Sequence, residues 1–307
     1  MRALRAALSA ALILLVACSS SGGGTTAFAI SNPRGAIVVA SFDFAEGRLL
    51  SDLYATVLKK NGYRVRRAFN LGPREIVEPA LLEGRVDLVP EYLGTALSFI
   101  TLGEAQVTAR PPVLYRQLVR AFKRKGVDPL ALAPAEDQNG IVVSEATAAR
   151  YDLLTVSDLR RVAPKLVFGG PPECESRPFC LPGLATTYGL HFKRFQPLDA
   201  GGPITVSALR SGQIDVALLF TTDPSIVANN FVLLRDDRNL QPADNIVPVI
   251  RREVLKKQGG GVVRLIDAVT RRLTTDTLRK LNARVQLQGI PVHRVATEWL
   301  QHLKVIE

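Results

Sequence analysis

Tyr92, followed by Gly94-Thr95, and Phe220, followed by Thr222-Asp223, stand 128 positions apart in matching surroundings. Ala80, Leu81, Gly84, Val86 and Asp87 precede the first, and Ala208, Leu209, Gly212, Ile214 and Asp215 precede the second. An aromatic ring and hydroxyls repeated at the ends of two buried strands suit recognition of a solute in a cleft better than bond breaking. Asp43, Asp87, Glu91 and Asp223 offer carboxylates for an acid and base pair. Asp87 and Asp215, however, recur at the same place in both halves, as a structural residue at a strand start would. The chain has no G-x-S-x-G, no H-E-x-x-H and no Cys and His placed to pair. It also lacks GxxxxGK[ST], and Gly22 to Gly24 and Gly259 to Gly261 read as a tether and a loop. An enzyme is therefore the competing class, a solute sensor that signals to a partner protein a third, and no cofactor is expected.

The elements that must position these residues repeat at the same offset. Val38 and Val39 map near Leu166 and Val167, and Gly62 maps to Leu190. Each half reads strand, helix, strand, helix, strand, with short apolar runs that suit a mostly parallel sheet covered on both faces. In such sheets ligands sit beyond the carboxyl ends of the strands. The first half predicts a strand over Ala36 to Ala40, a helix ended by Asn61-Gly62, a strand over Tyr63 to Phe69, and a helix over Pro73 to Leu82. A strand over Val86 to Val89 and a turn over Pro90 to Thr95 follow. Leu130 to Asn139 reads as a strand crossing to the second half. Phe231 to Leu234 and Asp244 to Ile250 read as the return, and three helices close the chain. The expectation is an α/β fold of two lobes, residues 36–137 with 238–307 and residues 138–237, joined by two crossovers that form a hinge.

The chain carries 39 Lys and Arg, 37 without Arg2 and Arg5, against 28 Asp and Glu. The basic residues are scattered at spacings that suit solvated faces, so nucleic acid is not an expected partner, and an anionic membrane or wall is the more natural attraction. Arg2 and Arg5, the apolar run Ala6 to Val16 and Leu15-Val16-Ala17-Cys18 resemble the leader and lipobox of bacterial lipoproteins. That resemblance implies cleavage before Cys18 and lipid on it, with residues 19–35 as a flexible tether. Cys174 and Cys180 remain, six positions apart, and in an oxidising compartment they read most simply as a disulfide. His191, His293 and His302 stand at no ligand spacing, so no metal site is expected.

The chain also resembles the substrate-binding lipoproteins of osmoprotectant ABC importers, the ProX and OpuC type. The likeness runs from IVVASFDFAEGRLLSDLYATVLKKNGY through NLGPREIVEPALLEGRVDLVPEYLGTAL, YDLLTVSDLRRVAPKLVFGG, SRPFCLPGL, YGLHF and LRSGQIDVALLFTTD to LTTDTLRKLNARV. It implies a two-lobed binding protein of the type II periplasmic kind, a monomer held at the extracytoplasmic face of the cell membrane, handing a small solute to ABC permease subunits. The solutes implied are quaternary amines such as glycine betaine, choline or carnitine. A quaternary ammonium donates no hydrogen bond and is held by aromatic faces, while a betaine carboxylate needs donors opposite. Carried over, Tyr92 matches the box tyrosine, Thr95 its threonine, and Arg177 the ligand of the anionic end, with a pairing to Glu173 or Glu175 as its alternative role. The family's serine, lysine, asparagine, phenylalanine at the first strand exit is here Ser41-Phe42-Asp43-Phe44. Tyrosines common at the crossings are replaced at Gln138-Asn139 and Asp244-Asn245. The candidate ligand set is thus Phe42, Asp43, Tyr92, Thr95, Asn139, Arg177, Phe220, Thr222, Asp244 and Asn245. A polyhydroxylated or aromatic cargo is the alternative for the same cleft.

Overall fold

The computed structural model describes residues 35–307, so Cys18 and nearly all of the tether lie outside the described residues. The first half builds β1 (Ile37–Ala40), α1 (Ala45–Lys60), β2 (Val65–Ala68), α2 (Arg74–Leu82), β3 (Leu88–Tyr92), α3 (Leu93–Ile100), α4 (Pro111–Lys123) and β4 (Val127–Pro129). The second builds β5 (Asn139–Ser144), α5 (Glu145–Tyr151), β6 (Val167–Gly170), the short α6 (Leu181–Gly183), β7 (Arg194–Pro197), α7 (Pro203–Arg210), β8 (Val216–Phe220), α8 (Ser225–Ala228) and β9 (Phe231–Leu234). The chain then returns through β10 (Ile246–Arg251), α9 (Arg252–Gln258), α10 (Gly261–Thr270), α11 (Thr275–Gln286) and α12 (Val292–His302).

Two five-stranded sheets result, ordered β2-β1-β3-β10-β4 and β7-β6-β8-β5-β9. In each, four strands run one way and one runs against them, β10 in the first and β5 in the second. The two-lobed, mostly parallel architecture is therefore as expected. Alternation explains how one short strand serves two cores. Ile141, Val143, Val216 and Leu218 face one apolar cluster of the second sheet, and Val142, Ala217 and Leu219 face the other.

The repeat is visible in the register. Val39 pairs with Leu88 and with Arg67, and Phe168 with Val216 and with Phe195, so β3 and β8, like β2 and β7, are offset by 128 and β1 and β6 by 129, and the loops absorb one residue. Asp87 and Asp215 perform one task twice. The Val38 N–H donates to Asp87 Oδ2 at 2.9 Å, and the Val167 N–H donates to Asp215 Oδ2 at 2.8 Å. Each aspartate's own N–H returns a bond to the carbonyl of the same valine, at 2.8 and 2.9 Å. The carboxylate thus occupies a donor that the neighbouring strand starts too late to reach.

Three boundaries differ from the sequence expectation. Strand β3 continues through Pro90 to Tyr92 and passes straight into α3, with no turn between. Pro90 pairs with Pro248 of β10, and since neither has an N–H, each sits where the ladder needs no donor. Residues 130–138 form no strand of a sheet. Phe231–Leu234 is the edge strand β9 beside β5 rather than part of the return. The two crossings instead run side by side. Ala133 N–H donates to the Ile246 carbonyl at 2.9 Å, Ile246 N–H to Ala135 at 3.1 Å, and Asp137 N–H to Asp244 at 3.1 Å.

Helices α10, α11 and α12 pack on α1. The Tyr54 and Thr270 hydroxyls meet at 3.0 Å in that buried contact. Among the described residues no helix is long and apolar enough to cross a membrane.

Candidate ligand-binding site

A cavity of about 540 Å3 opens between the carboxyl ends of the two sheets, within the range of small-molecule sites. Its apolar wall is an aromatic cluster. Phe44 lies 5.8 Å from Phe42, 6.0 Å from Tyr92 and 4.9 Å from Phe220, centroid to centroid. Phe44 is thus the one ring in contact with rings of both sheets. Gly47, in the first turn of α1, leaves room for this packing, since a Cβ there would stand 3.3 Å from Phe42 Cβ and 3.4 Å from Phe44 Cζ.

Phe42 is the backing of this wall. Phe44 stacks on it at an interplanar angle of 6°, and the Arg74 guanidinium carbon lies 5.3 Å from its centroid. With both interactions made, and only 3% of its surface exposed, Phe42 holds Phe44 in place and offers a ligand little surface of its own. Phe44, half-buried and touching three rings, was missed as a site residue in the sequence. The signal was present, since it stands where the family pattern keeps a phenylalanine.

Tyr92 is the last residue of β3 and the residue before α3. Its hydroxyl donates to Glu46 Oε1 at 2.9 Å, and Tyr92 lines the cavity. Burial raises this phenol well above its ordinary range, and the Glu46 carboxylate adds to the effect.

The start of α3 is organised by Asp244. Its Oδ1 accepts the N–H groups of Gly94 at 2.7 Å and Thr95 at 2.9 Å, and the Thr95 hydroxyl at 3.3 Å. A carboxylate from the return crossing thereby satisfies two free amides of a helix start. Gly94 allows that approach, for a Cβ would come within 2.4 Å of Pro242 Cβ. Burial lifts Asp244 to about 7. Arg74 completes the polar side with a bidentate pair to Glu91, Nε to Oε1 at 3.0 Å and Nη2 to Oε2 at 2.8 Å, and a bond to Thr95 Oγ1 at 3.1 Å. Burial opposes the charge of Arg74, but Glu91 keeps it firmly protonated. Glu78, behind them, is raised by burial and then by the charge of Glu91.

From the second sheet come Phe220, Asn139 opposite it in the β5–β8 pair, and the loop 171–180. The Asn139 amide donates to the Phe179 carbonyl at 3.3 Å. Cys174 and Cys180 are joined, with Cα atoms 5.2 Å apart. Arg177, whose alternative role was a pairing with Glu173 or Glu175, pairs with neither. It reaches across the cleft to Glu75 of α2, with Nη2 at 2.8 Å from Oε2 and Nε at 3.2 Å from Oε1.

Of the ten candidate residues, Phe42, Asp43, Tyr92, Thr95, Asn139, Arg177, Phe220 and Asp244 line the cavity. Asp43 is exposed there and does not cap α1, whose preceding residue is Phe44. Thr222 and Asn245 do not line it. Thr222 is buried with its hydroxyl donating to Glu46 Oε2 at 2.5 Å, and the Asn245 amide donates to the Ala133 carbonyl at 3.1 Å, tying the crossings together. Arg74 and Asp137 line the cavity and had not been singled out in the sequence. Nothing in their local spacing distinguishes them from solvated charges. Among the described residues no group of three His, Cys, Asp or Glu is placed to hold a metal.

The lining carries six acidic residues, Asp43, Glu75, Asp137, Glu173, Asp199 and Asp244, and two basic ones, Arg74 and Arg177. Both arginines are already paired. The cavity therefore sets ring faces beside carboxyl groups, a combination that suits a cation.

Comparison with known proteins points the same way. The family model described as "Substrate binding domain of ABC-type glycine betaine transport system" matches residues 35–302. The glycine-betaine-binding protein of Pseudomonas aeruginosa is 28% identical over 275 residues, 86% of each chain. The ergothioneine transport permease/ergothioneine binding protein EgtU of Helicobacter pylori strain G27 is 25% identical over 88% of this chain and 49% of its own length. A solved structure of a "glycine betaine/carnitine/choline ABC transporter" superposes with a TM-score of 0.70 at 24% identity, covering 88% of this chain and 100% of that one.

Proposed function

This chain belongs to the family of substrate-binding domains of ABC-type glycine betaine transport systems, and from that membership we propose that it captures a quaternary amine in the cavity and delivers it to a membrane permease. The observation that carries this reading is the aromatic wall of Phe44, Tyr92 and Phe220, drawn from both sheets, facing an acidic lining whose only cations are already paired. A quaternary ammonium loses little hydration on entering such a site, because it has no N–H groups to leave unsatisfied.

The same lining favours a cation that carries no carboxylate. A betaine would bring its own negative charge toward unpaired carboxyls, and releasing Arg177 to meet it would break the bond to Glu75. Choline-type solutes are therefore the preferred ligands within the class.

We assign residues 36–137 with 238–307 to one lobe and 138–237 to the other. The paired crossings serve as the hinge, and closure over the ligand is the recognition step. Anchoring through lipid at Cys18 would hold the receptor beside its permease on the extracytoplasmic face. The test is a thermal-shift panel of choline, glycine betaine, carnitine, sugars and phenolics, run on the protein and on Tyr92→Ala. Ligand at a hundredfold over its Kd adds about 2.7 kcal/mol. A shift with choline that vanishes in Tyr92→Ala supports the reading. A shift with sugars or phenolics alone would replace it with the alternative cargo.

A further inference from the structure

Glu46 and Asp137 form a buried carboxyl pair for which a plain aromatic cage has no use. Glu46 lies in the first turn of α1 with 3% of its surface exposed, and Asp137 lies on the first crossing, also at 3%. Glu46 Oε1 accepts the Tyr92 hydroxyl, and its Oε2 accepts Thr222 Oγ1 at 2.5 Å and Asn282 Nδ2 at 2.6 Å. Asp137 Oδ1 accepts the Thr222 N–H at 3.0 Å and the Thr221 hydroxyl at 3.2 Å. Asp137 Oδ2 is buried with no hydrogen-bond donor among the described residues, and Asp137 lines the ligand cavity.

Among the described residues no cation is paired with either carboxyl. Around them, Tyr92 comes from β3, Thr221 and Thr222 from the end of β8, and Asn282 from α11. The nearest guanidinium on α11, that of Arg279, donates instead to the Thr221 carbonyl at 3.2 and 3.3 Å. Beyond Tyr92, Glu91 is paired with Arg74 and Asp244 accepts the N–H groups at the start of α3. Burial disfavours ionisation of both members, and the charge of Glu46 raises Asp137 further. Both carboxyls accept from Thr222, so they are close neighbours, and two buried carboxyls that close resist ionising together.

We propose that Glu46 and Asp137 are the counter-charge for the captured cation and give up their shared proton as it enters. This rests on the quaternary-amine reading. A cation seated on the Tyr92 ring lies beside the carboxylates that the tyrosine and the crossing present. At about 7 Å and an effective dielectric of about 20, a unit charge moves a carboxyl's titration by about one to two pH units. One cation enters, one O–H bond of the pair breaks, and the proton leaves to solvent. Affinity then rises with pH, by up to about tenfold per unit, while the empty pair still holds its proton, and levels off once the pair is ionised beforehand.

The experiment is calorimetric titration of the protein with choline and with tetramethylammonium, whose charges do not change with pH. Titrations run between pH 5 and pH 8, and between pH 7 and pH 8, where both take up protons, phosphate and Tris are compared because they differ in ionisation enthalpy. The expected result is proton release on binding and at least about tenfold tighter binding at the upper end of the range. Glu46→Gln and Asp137→Asn should abolish the release and flatten the profile. If those variants fail to fold, the buffer dependence of the unaltered protein decides. Choline binding with no proton release and a flat profile would overturn this proposal and leave the quaternary-amine reading intact. Failure of every quaternary amine to bind at any pH would overturn both.

Discussion

Replacing Phe44 by leucine separates ring-face recognition from mere apolar contact. Leucine retains most of the volume, so the cavity keeps its shape, but it has no quadrupole to attract a cation. Phe44 touches Phe42, Tyr92 and Phe220, and losing three ring pairs at about 0.5–1.5 kcal/mol each lowers stability by about 1.5–4.5 kcal/mol. One ring facing a desolvated cation contributes about 0.5–2 kcal/mol, so choline should bind about 2–30-fold more weakly to Phe44→Leu. The control is the uncharged analogue of choline in which carbon replaces nitrogen. Its affinity should be weak throughout and nearly unchanged by the substitution. A second comparison sharpens the test. Phe42→Leu should change choline affinity by less than about threefold, because the protein already occupies that ring with Phe44 and Arg74. Calorimetry on the protein and both variants supplies the numbers. Equal losses for choline and its neutral analogue, or a larger loss at Phe42 than at Phe44, would refute the cage as drawn.

Arg177→Ala removes an ion pair whose side chains are 32% and 40% exposed, so stability should fall by less than about 1 kcal/mol and choline affinity should hardly change. A selective loss of glycine betaine binding would instead show that Arg177 leaves Glu75 to grip a carboxylate. Asp244 is raised by burial to about 7 in the folded protein, above an unfolded aspartate near about 4, so its contribution is full below the unfolded value and is lost as pH rises through about 7. Glu46, Glu78 and Asp137 are raised in the same sense, and the urea midpoint should fall from pH 5 to pH 8, with a shallower slope in Asp244→Asn. A midpoint that rises over that range would contradict the burial of these groups. Gly94→Ala pushes a methyl into Pro242 and the Ala243 carbonyl and should cost about 1–3 kcal/mol while weakening ligand binding, because the return crossing that carries Asp244 must move. Denaturation together with choline titration checks both effects.

The repeat was legible because it is written in apolar spacing and in two aspartates that the backbone needs. A carboxylate that closes the start of a strand must recur wherever the strand pair recurs, so Asp87 and Asp215 announced both lobes. Pro90 misled, since a proline after an apolar run suggests a turn, and only the facing Pro248 of β10 shows why a strand tolerates it. Phe231 to Leu234 misled for a related reason, because an apolar run says strand without saying which neighbours it joins. Arg177 was out of reach of spacing altogether, since its partner Glu75 lies 102 positions away on the opposite side of the cleft. Glu46 stands in the first turn of α1 as acidic residues often do, and nothing along the chain reveals that Asp137, Thr222 and Asn282 converge on it. Local pattern reports elements well, but the charges of the site are set by which loops the fold brings together.

The central position of β10 has a consequence for how the molecule comes into being. All five strands of the second sheet, β5 to β9, are consecutive along the chain, whereas the first sheet waits for β10 to fill the place between β3 and β4. A chain emerging amino end first therefore presents a finished second lobe while the first still has an open edge along β3 and an α1 not yet covered by α10 to α12. The lobe that begins first is the last to close. Until residue 251 and the helices after it are free, the unpaired edge of β3 is the segment at risk of joining another chain, and a helper that shields exposed strands during export would act there.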